Sequence, residues 1–356
     1  MKVLISGAGP AGLTVAYWLR RYGYRATIVE RAPTLLVGGY KIDVRGAALQ
    51  VLSQMGVHDA VAAAHTDMQG AILVDKEGHV VNRMSGDDFG HRVGGDVEIV
   101  RGTLCQILRD HLGDVELLFG DTIQGITQSS DTAQVQFTKN GVREFELVIG
   151  ADGLHSNVRR IVFGEEARFL RDLGLYLRDR VQQQEALRTV YEGIGWEVPR
   201  LLEMMPTASD WYFDTAAQIQ MPRWSQGRVV LVGDAAYCAS PMSGQGTSIA
   251  LIGAHVLAGE LAAACGTHLR AFVEFEGAMR PFVEANQALG LKSAKLMRSG
   301  ERKSVVNWLL KQLMRRMPGR MTEWIINRST ERITQAANAI RLKDYSSFLK
   351  SRETPA

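Results

Sequence analysis

Three short stretches of this 356-residue chain hold the residue types that grip phosphates and sugar diols. The first is Gly7-Ala8-Gly9-Pro10-Ala11-Gly12. It follows an aliphatic run, Lys2 to Ser6, and precedes Leu13 to Arg21, which reads as a helix. That is the strand, turn, helix order a dinucleotide-binding GxGxxG requires. Gly7 permits the tight turn, Gly9 lets a pyrophosphate reach the backbone across the small Ala11, and Gly12 lets helix and strand pack closely. The helix N-terminus adds free N–H groups and a dipole that favours anions. A second strand, Ala26 to Glu30, sets Glu30 eighteen positions after Gly12. A carboxylate there accepts hydrogen bonds from a ribose diol and would face a 2′-phosphate unfavourably, which leaves NAD and FAD for this site.

Two further apolar strands run into aspartates. Phe145 to Ile149 leads to Gly150-Ala151-Asp152-Gly153-Leu154-His155-Ser156-Asn157-Val158-Arg159. Arg228 to Val232 leads to Gly233-Asp234-Ala235-Ala236 and then Pro241-Met242-Ser243-Gly244-Gln245-Gly246. Each aspartate ends a strand at the carboxyl edge of a sheet, where open α/β folds bind ligands. Any single one reads equally well as a cap on the next helix. In these motifs the chain resembles the flavoprotein aromatic hydroxylases, the p-hydroxybenzoate hydroxylase-like FAD monooxygenases, from Met1 to about Leu175 and again from about Val181 to Leu289.

The resemblance implies FAD as cofactor. It implies that Asp152 touches both flavin and pyridine nucleotide and that Asp234, beside Gly233, holds the ribitol. It also sets Arg31, Arg101 and Arg45 near FAD, where arginine suits phosphate. The Pro241, Gly244, Gly246 loop opens a long helix through Ile249 and Leu257, whose N-terminus favours the anionic edge of reduced flavin. NAD(P)H docks transiently, since no second GxGxxG is present. Oxygen is then activated as a flavin C4a-hydroperoxide and passed to an aromatic or polyketide-like small molecule. No residue reads as a general acid or base, so the catalytic residues stay unassigned and the chemistry belongs mostly to the flavin.

The chain departs from that family in one region. Only eighty positions separate Gly153 from Gly233, an interval in which the family fits several more strands of a substrate-covering sheet. The cut falls near Leu175-Tyr176-Leu177, leaving a strand start at Gly174, a helix from Gln182 to Tyr191 and a strand from Trp211 to Gln220. A strand pair, Ala71 to Val74 and His79 to Arg83, comes from an earlier insertion after Met68. A missing wall would expose the oxygenating intermediate to water. An uncoupled NAD(P)H oxidase or reductase, and a non-catalytic FAD-bound carrier, are therefore the rival readings. Tyr237 and Ser248 replace a His and an Asn common in the wider family, as the polyketide- and tetracycline-modifying branch tolerates.

The elements that position these motifs define an α/β protein. Residues 1–67, 98–165 and 225–285 read as a discontinuous Rossmann-like FAD-binding domain. Residues 68–97 and 166–224 read as a shortened β-sheet substrate domain, and 286–356 as a basic C-terminal helical segment. From Gly290 onward fifteen Lys/Arg face five Asp/Glu, so this stretch carries +10 and the remainder −7. Within it Val305, Val306, Leu309, Leu310, Leu313 and Met317 recur at helical spacing, a stripe that suits packing on the FAD-binding domain better than lying on anionic lipid. Its cations lack the interleaved aromatics of a nucleic-acid face.

Cys105, Cys238 and Cys265 show no CxxC or metal spacing, read as buried thiols, and fit a reducing cytoplasm. A covalent flavin link at Cys238 is the lesser alternative. His58, His65, His79 and His91 show no metal spacing either. The apolar stretch from Ile249 to Cys265 is broken by His255 and Glu260, and so reads as a buried helix and not a membrane span.

Overall fold

The computed structural model describes residues 1–35, 38–173, 177, 179–208, 211, 213–299 and 319–349, with their side chains apart from those of 296–299 and 319–326. Lys2–Ser6 lies at the centre of a six-stranded sheet, parallel to Arg25–Glu30 on one side and to Leu147–Gly150 on the other. Glu116–Phe119 extends the first side, and Val229–Leu231 with the short antiparallel Ser225–Gln226 extends the second. Strands covered on both faces need continuous apolar runs. Val3, Leu4, Ile5, Leu147 to Ile149 and Val229 to Leu231 are accordingly all buried. The strand expected from Phe145 to Ile149 is in fact two. Phe145 ends Val142–Phe145, part of a three-stranded antiparallel sheet with Ile123–Gln128 and Ala133–Phe137, and Glu146 turns the chain into the parallel sheet.

Helix Pro10–Arg21 packs against helix Gly246–Ala263. The latter is apolar on every face, as a helix enclosed by protein must be, and is buried from Ser248 to Leu261. By length and composition alone it would suffice to cross a membrane, but the fold encloses it.

The two segments expected to form the substrate domain keep little sheet among their described residues. Leu170–Asp172 pairs antiparallel with Ala217–Ile219, and Gly70–Val74 pairs with Val80–Ser85, as two separate two-stranded ladders. Only Ala217–Ile219 of the expected Trp211–Gln220 strand is regular; the indole of Trp211 donates to Gln183 instead. Helix Arg180–Tyr191 forms where expected. Gly174 lies outside the described residues, as do Leu175 and Tyr176. The hairpin and the helical stretch meet where the Trp196 N–H donates to the Lys76 carbonyl at 2.7 Å.

The boundary drawn at 285/286 falls within one continuous helix, His268–Ser299. The basic stripe from Val305 to Met317 lies outside the described residues. Beyond it, helix Gly319–Ala337 packs on helix His268–Ser299 and reaches the loop at His91: Thr330 Oγ1 meets His91 Nδ1 at 3.1 Å, and the Ala336 carbonyl accepts from Asn286 at 3.2 Å. The chain then lays Tyr345 across Gly259 of the long apolar helix, where a Cβ would fall 2.3 Å from the ring. The Tyr345 hydroxyl donates to Glu260 at 2.8 Å, and Lys343 pairs with the same carboxylate. His255 is buried between the rings of Trp18 and Tyr345, at 4.7 and 5.4 Å, and burial pushes its pKa down to about 4.

Two outcomes follow from this docking. Tyr345→Ala removes a buried ring and leaves Glu260 with Lys343 alone; it should cost about 3 kcal/mol in urea unfolding, in the range of large-to-small core changes. His255 is neutral when folded and has an ordinary pKa near 6.5 when unfolded. Its contribution is therefore complete above pH 6.5 and lost on acidification toward pH 4, on the order of 3 kcal/mol. His255→Gln should flatten that limb of the stability profile between pH 4 and 6.5.

Candidate functional site

The three glycine-bearing turns converge at the carboxyl ends of neighbouring strands. Gly7 has φ +104°, and a Cβ on it would meet the Ala151 carbonyl oxygen at 2.5 Å, so the first and second turns touch backbone to backbone. A Cβ on Gly12 would fall 2.0 Å from the Gly7 oxygen, so the crossing of helix on strand requires glycine there. Gly233, at φ +68°, lies against Ala11: a Cβ on it would be 3.1 Å from that methyl. Gly9 is the N-cap residue of helix Pro10–Arg21, and no side chain caps that end. The first-turn N–H groups of such a helix have no partner within it and remain available to an anion.

Glu30 holds this turn in place. Its two carboxylate oxygens accept the N–H groups of Ala8 at 2.8 Å and Ala32 at 2.9 Å. Each oxygen keeps a further lone pair, which a diol can use. Arg101 lies over the turn: its Nη2 would be 3.2 Å from a Cβ on Gly9. Its backbone N–H is fixed by the Tyr40 carbonyl at 3.1 Å. The guanidinium has no hydrogen bond or ion pair among the described residues. Arg31, exposed just past Glu30, is likewise without one among them.

Arg45 is placed differently. Its side chain is buried, paired with Asp43 at 2.7 Å and donating to the carbonyls of Gly90 and His91. Its N–H is capped by Ser248 Oγ at 3.0 Å, which gives that departure from the family a structural task. The Arg45 cation is thus spent inside the chain.

The two aspartates also differ. The Asp152 carboxylate accepts from the N–H groups of Asn157 at 2.8 Å and Val158 at 3.0 Å and from the hydroxyls of Ser156 and Ser6. It shapes the start of helix Asn157–Phe163, the capping role that either aspartate could have had. Asp234 caps nothing. The neighbouring Cys238 thiol, which burial holds protonated and therefore able to donate, lies 3.6 Å from the Ala217 carbonyl. Burial raises the Asp234 pKa, with Cys238 and the nearby Arg101 opposing. A buried, protonated thiol is a poor nucleophile, which argues against a covalent flavin link at Cys238.

The third motif ends in a one-turn helix, Pro241–Ser243, after Ser240 at φ +76°. Gly244, at φ +63°, and Gly246 both have open space where a Cβ would stand, so their backbone borders room for a planar group. Tyr237 fills the core behind, 4.5 Å from Trp224, with its hydroxyl over Gly253. The uncapped helix N-terminus, the partnerless Arg101, the open Glu30 lone pairs and the exposed glycine backbone together fit a pyrophosphate-linked dinucleotide.

Sequence reasoning missed Arg159, the last residue of the second motif. Its guanidinium is fully buried and donates to the Ala235 carbonyl at 2.9 Å, the Leu154 carbonyl at 2.6 Å and Glu166 at 3.0 Å. It therefore pins the second turn to the third. The available signal was an arginine between the apolar Val158 and Ile161. At the hairpin tip Asp75, Glu77 and His79 stand within 4.8 Å of one another, where Asp75 accepts the N–H groups of the other two.

Comparison with known proteins agrees with this geometry. The FAD binding domain family model matches residues 1–210 and 178–270. A flavin-dependent monooxygenase from an unknown prokaryotic organism is 38% identical over 341 residues, covering 82% of this chain and 88% of that protein. Another, from Legionella longbeachae serogroup 1 (strain NSW150), is 35% identical over 342 residues with the same coverage. The crystal structure of tetracycline destructase Tet(51) superposes with a TM-score of 0.82 at 33% identity, covering 97% of this chain and 98% of that one. The 341-residue match takes up only 82% of this chain, so the relative carries about fifty residues that this chain lacks within the matched span. The motifs, the parallel sheet and these similarities agree: the chain belongs to the FAD-binding-domain family of flavin-dependent monooxygenases, and FAD is its cofactor.

Proposed function

We propose that this FAD-dependent monooxygenase hydroxylates an aromatic or polyketide-like small molecule, taking electrons from NAD(P)H and one oxygen atom from O₂. The observation that carries the reading of the site is the meeting of the three turns, with the Arg101 guanidinium above Gly9 and the Asp234 carboxylate below no cap of its own. Arg101 and the free amides after Gly9 would hold the pyrophosphate, with Arg31 contributing charge at the rim. Glu30 would accept from the ribose diol and Asp234 from the ribitol. The Gly244 to Gly246 backbone would border the ring, and the helix beginning at Gly246 would favour negative charge there. Bound FAD supplies the capacity to accept hydride from NAD(P)H and to react with O₂.

The chain's own residues set the conditions for that chemistry. Asp152, Ser156 and Arg159 keep the second turn rigid, so the approach to the cofactor face has a fixed shape. Tyr237 and Trp224 keep water from the core behind the third turn. On the substrate side the family resemblance to tetracycline-modifying enzymes supports a polycyclic substrate, and the shortened lobe supports one bulky enough to form part of its own cover. The same shortening favours a second outcome, release of hydrogen peroxide with no oxygenated product.

Two experiments test these assignments. Arg101→Ala should weaken FAD binding about ten- to a hundredfold, the loss of a charge-assisted contact, whereas Arg45→Met should lower stability and leave affinity within about threefold. Titration of apoprotein with FAD by fluorescence distinguishes them, and equal affinities for Arg101→Ala and wild type would remove Arg101 from the site. Separately, NAD(P)H loss, peroxide and product are followed together with polycyclic aromatic substrates. Product formed in proportion to NAD(P)H is expected; stoichiometric peroxide with every substrate would replace hydroxylation by oxidase activity.

A further inference from the structure

His155 lies in the second motif, three residues after Asp152, and both of its ring nitrogens face carboxylates. Nδ1 is 3.0 Å from Glu166 Oε2, and Nε2 is 3.1 Å from Asp214 Oδ1. A neutral imidazole has one N–H and one lone pair, so it can satisfy only one of these partners; the cation donates to both. Asp214 and then Glu166 hold the His155 pKa above its ordinary value against the opposing effect of burial.

The three groups belong to different parts of the molecule. His155 is in the loop between strand Leu147–Gly150 and helix Asn157–Phe163, on the cofactor side. Glu166 begins the turn that follows that helix and is braced by the buried Arg159 at 3.0 Å. Asp214 lies three residues before strand Ala217–Ile219, in the shortened lobe. That strand borders the third motif: the Ile219 N–H donates to the Cys238 carbonyl at 3.1 Å, and the Cys238 thiol lies 3.6 Å from the Ala217 carbonyl. Asp214 is also near enough to Asp234 and Tyr40 to raise their pKa values. The segment that His155 grips is therefore the one lying against Asp234 and its loop.

We propose that His155, as an imidazolium between Glu166 and Asp214, is a positioning residue that fastens the substrate-side strand to the cofactor-side loop, and that its deprotonation diverts electrons from product to peroxide. The diverted reaction balances as NAD(P)H, H⁺ and O₂ giving NAD(P)⁺ and H₂O₂. Among the described residues, the charged groups facing the imidazole are Glu166 and Asp214, with Arg159 behind Glu166. The folded pKa is raised, so the bridge is complete below pH 6.5 and is lost as pH rises through the folded value. Other ties on the strand, such as Thr215 Oγ1 to Asp172 at 2.9 Å and the Ile219 to Cys238 backbone bond, do not involve His155, so the strand loosens without detaching.

The test compares wild type with His155→Arg, a permanent cation whose fork can reach two carboxylates, and His155→Gln, which is neutral and carries both donors on one nitrogen with an acceptor on its other arm, so it cannot present a donor on each side. Hydrogen exchange of residues 213–220, corrected for the intrinsic effect of pH, is measured from pH 6 to 9. Wild-type protection should fall about two- to fivefold across this range, the size of a part-exposed ion pair. His155→Arg should stay protected throughout and His155→Gln should be unprotected throughout. The peroxide share of NAD(P)H oxidation should follow the same three profiles. Residues 229–231 report on global unfolding, and if His155→Gln loosens them too, Asp214→Asn replaces it with the same expectation. A pH profile for 213–220 that is unchanged in His155→Gln or Asp214→Asn would overturn the proposal, as would one in His155→Arg that titrates like wild type. The exchange measurement is independent of the reaction. Only the peroxide measurement rests on the monooxygenase reading, so failure of that reading leaves the exchange result interpretable.

Discussion

The site depends on one close contact, the helix Pro10–Arg21 lying on the strand Lys2–Ser6 with no side chain between Gly12 and the Gly7 carbonyl. A Cβ at Gly12 would stand 2.0 Å from that oxygen, far inside van der Waals contact. The crossing brings the first-turn amides to the carboxyl end of the central strand. From there the geometry propagates sideways, because Gly7 touches the Ala151 carbonyl and Ala11 touches Gly233. Each turn is thus a template for the next, and the long helix Gly246–Ala263 seals the arrangement by packing on Pro10–Arg21. A substitution that displaced any of these glycines would move all three turns together, since the contacts are between backbones or with the Ala11 methyl and no rotamer can absorb the shift.

Much of this was legible in the sequence because it is written in short-range patterns. Continuous aliphatic runs ending in a glycine turn, or in the acid Glu30, mark buried parallel strands, and the six-stranded sheet contains those at Lys2, Arg25, Leu147 and Val229. What the motifs do not reveal is where side-chain bonding capacity goes. Asp152 and Asp234 look alike in sequence, each at a strand end before a helix. In three dimensions the first is saturated by Ser156, Asn157 and Val158, while the second caps no helix. Arg45 and Arg101 likewise cannot be told apart by spacing, because Arg45 is consumed by Asp43 and two carbonyls that are remote in the chain. Phe145 was misassigned for a related reason: an apolar residue suits either sheet, and only the turn at Glu146 decides.

The shortened lobe poses the opposite physical problem. A two-stranded ladder is marginal in water unless something packs on it, and this lobe contains two of them. Their apolar side chains are poorly covered: Ile72, Leu73, Val80 and Val81 on the hairpin are roughly half exposed, as are Trp196 and Leu201 in the adjoining helical stretch. Burial therefore contributes little to holding the hairpin and the adjoining helical stretch in place, in contrast to the buried strand Ala217–Ile219 and to the enclosed core around Lys2–Ser6. Directional contacts must take over, and they cluster where the lobe meets the FAD-binding region. Gln218, wholly buried, donates to the Gln287 carbonyl at 2.7 Å, Gln287 returns a bond to the Ile219 carbonyl at 2.8 Å, and Asp214 reaches His155.

That division of labour has a functional consequence. Apolar packing is indifferent to pH between 6 and 9, so the cofactor half of the molecule keeps its geometry across that range. A lobe held by hydrogen bonds and an imidazolium does not share that indifference. The substrate-side lobe thus depends more on directional and titratable contacts than the cofactor half does, and in the proposed reaction exclusion of water on that side decides whether reduced oxygen is transferred or released. In this chain closure falls to a small polar clamp whose strength depends on a proton.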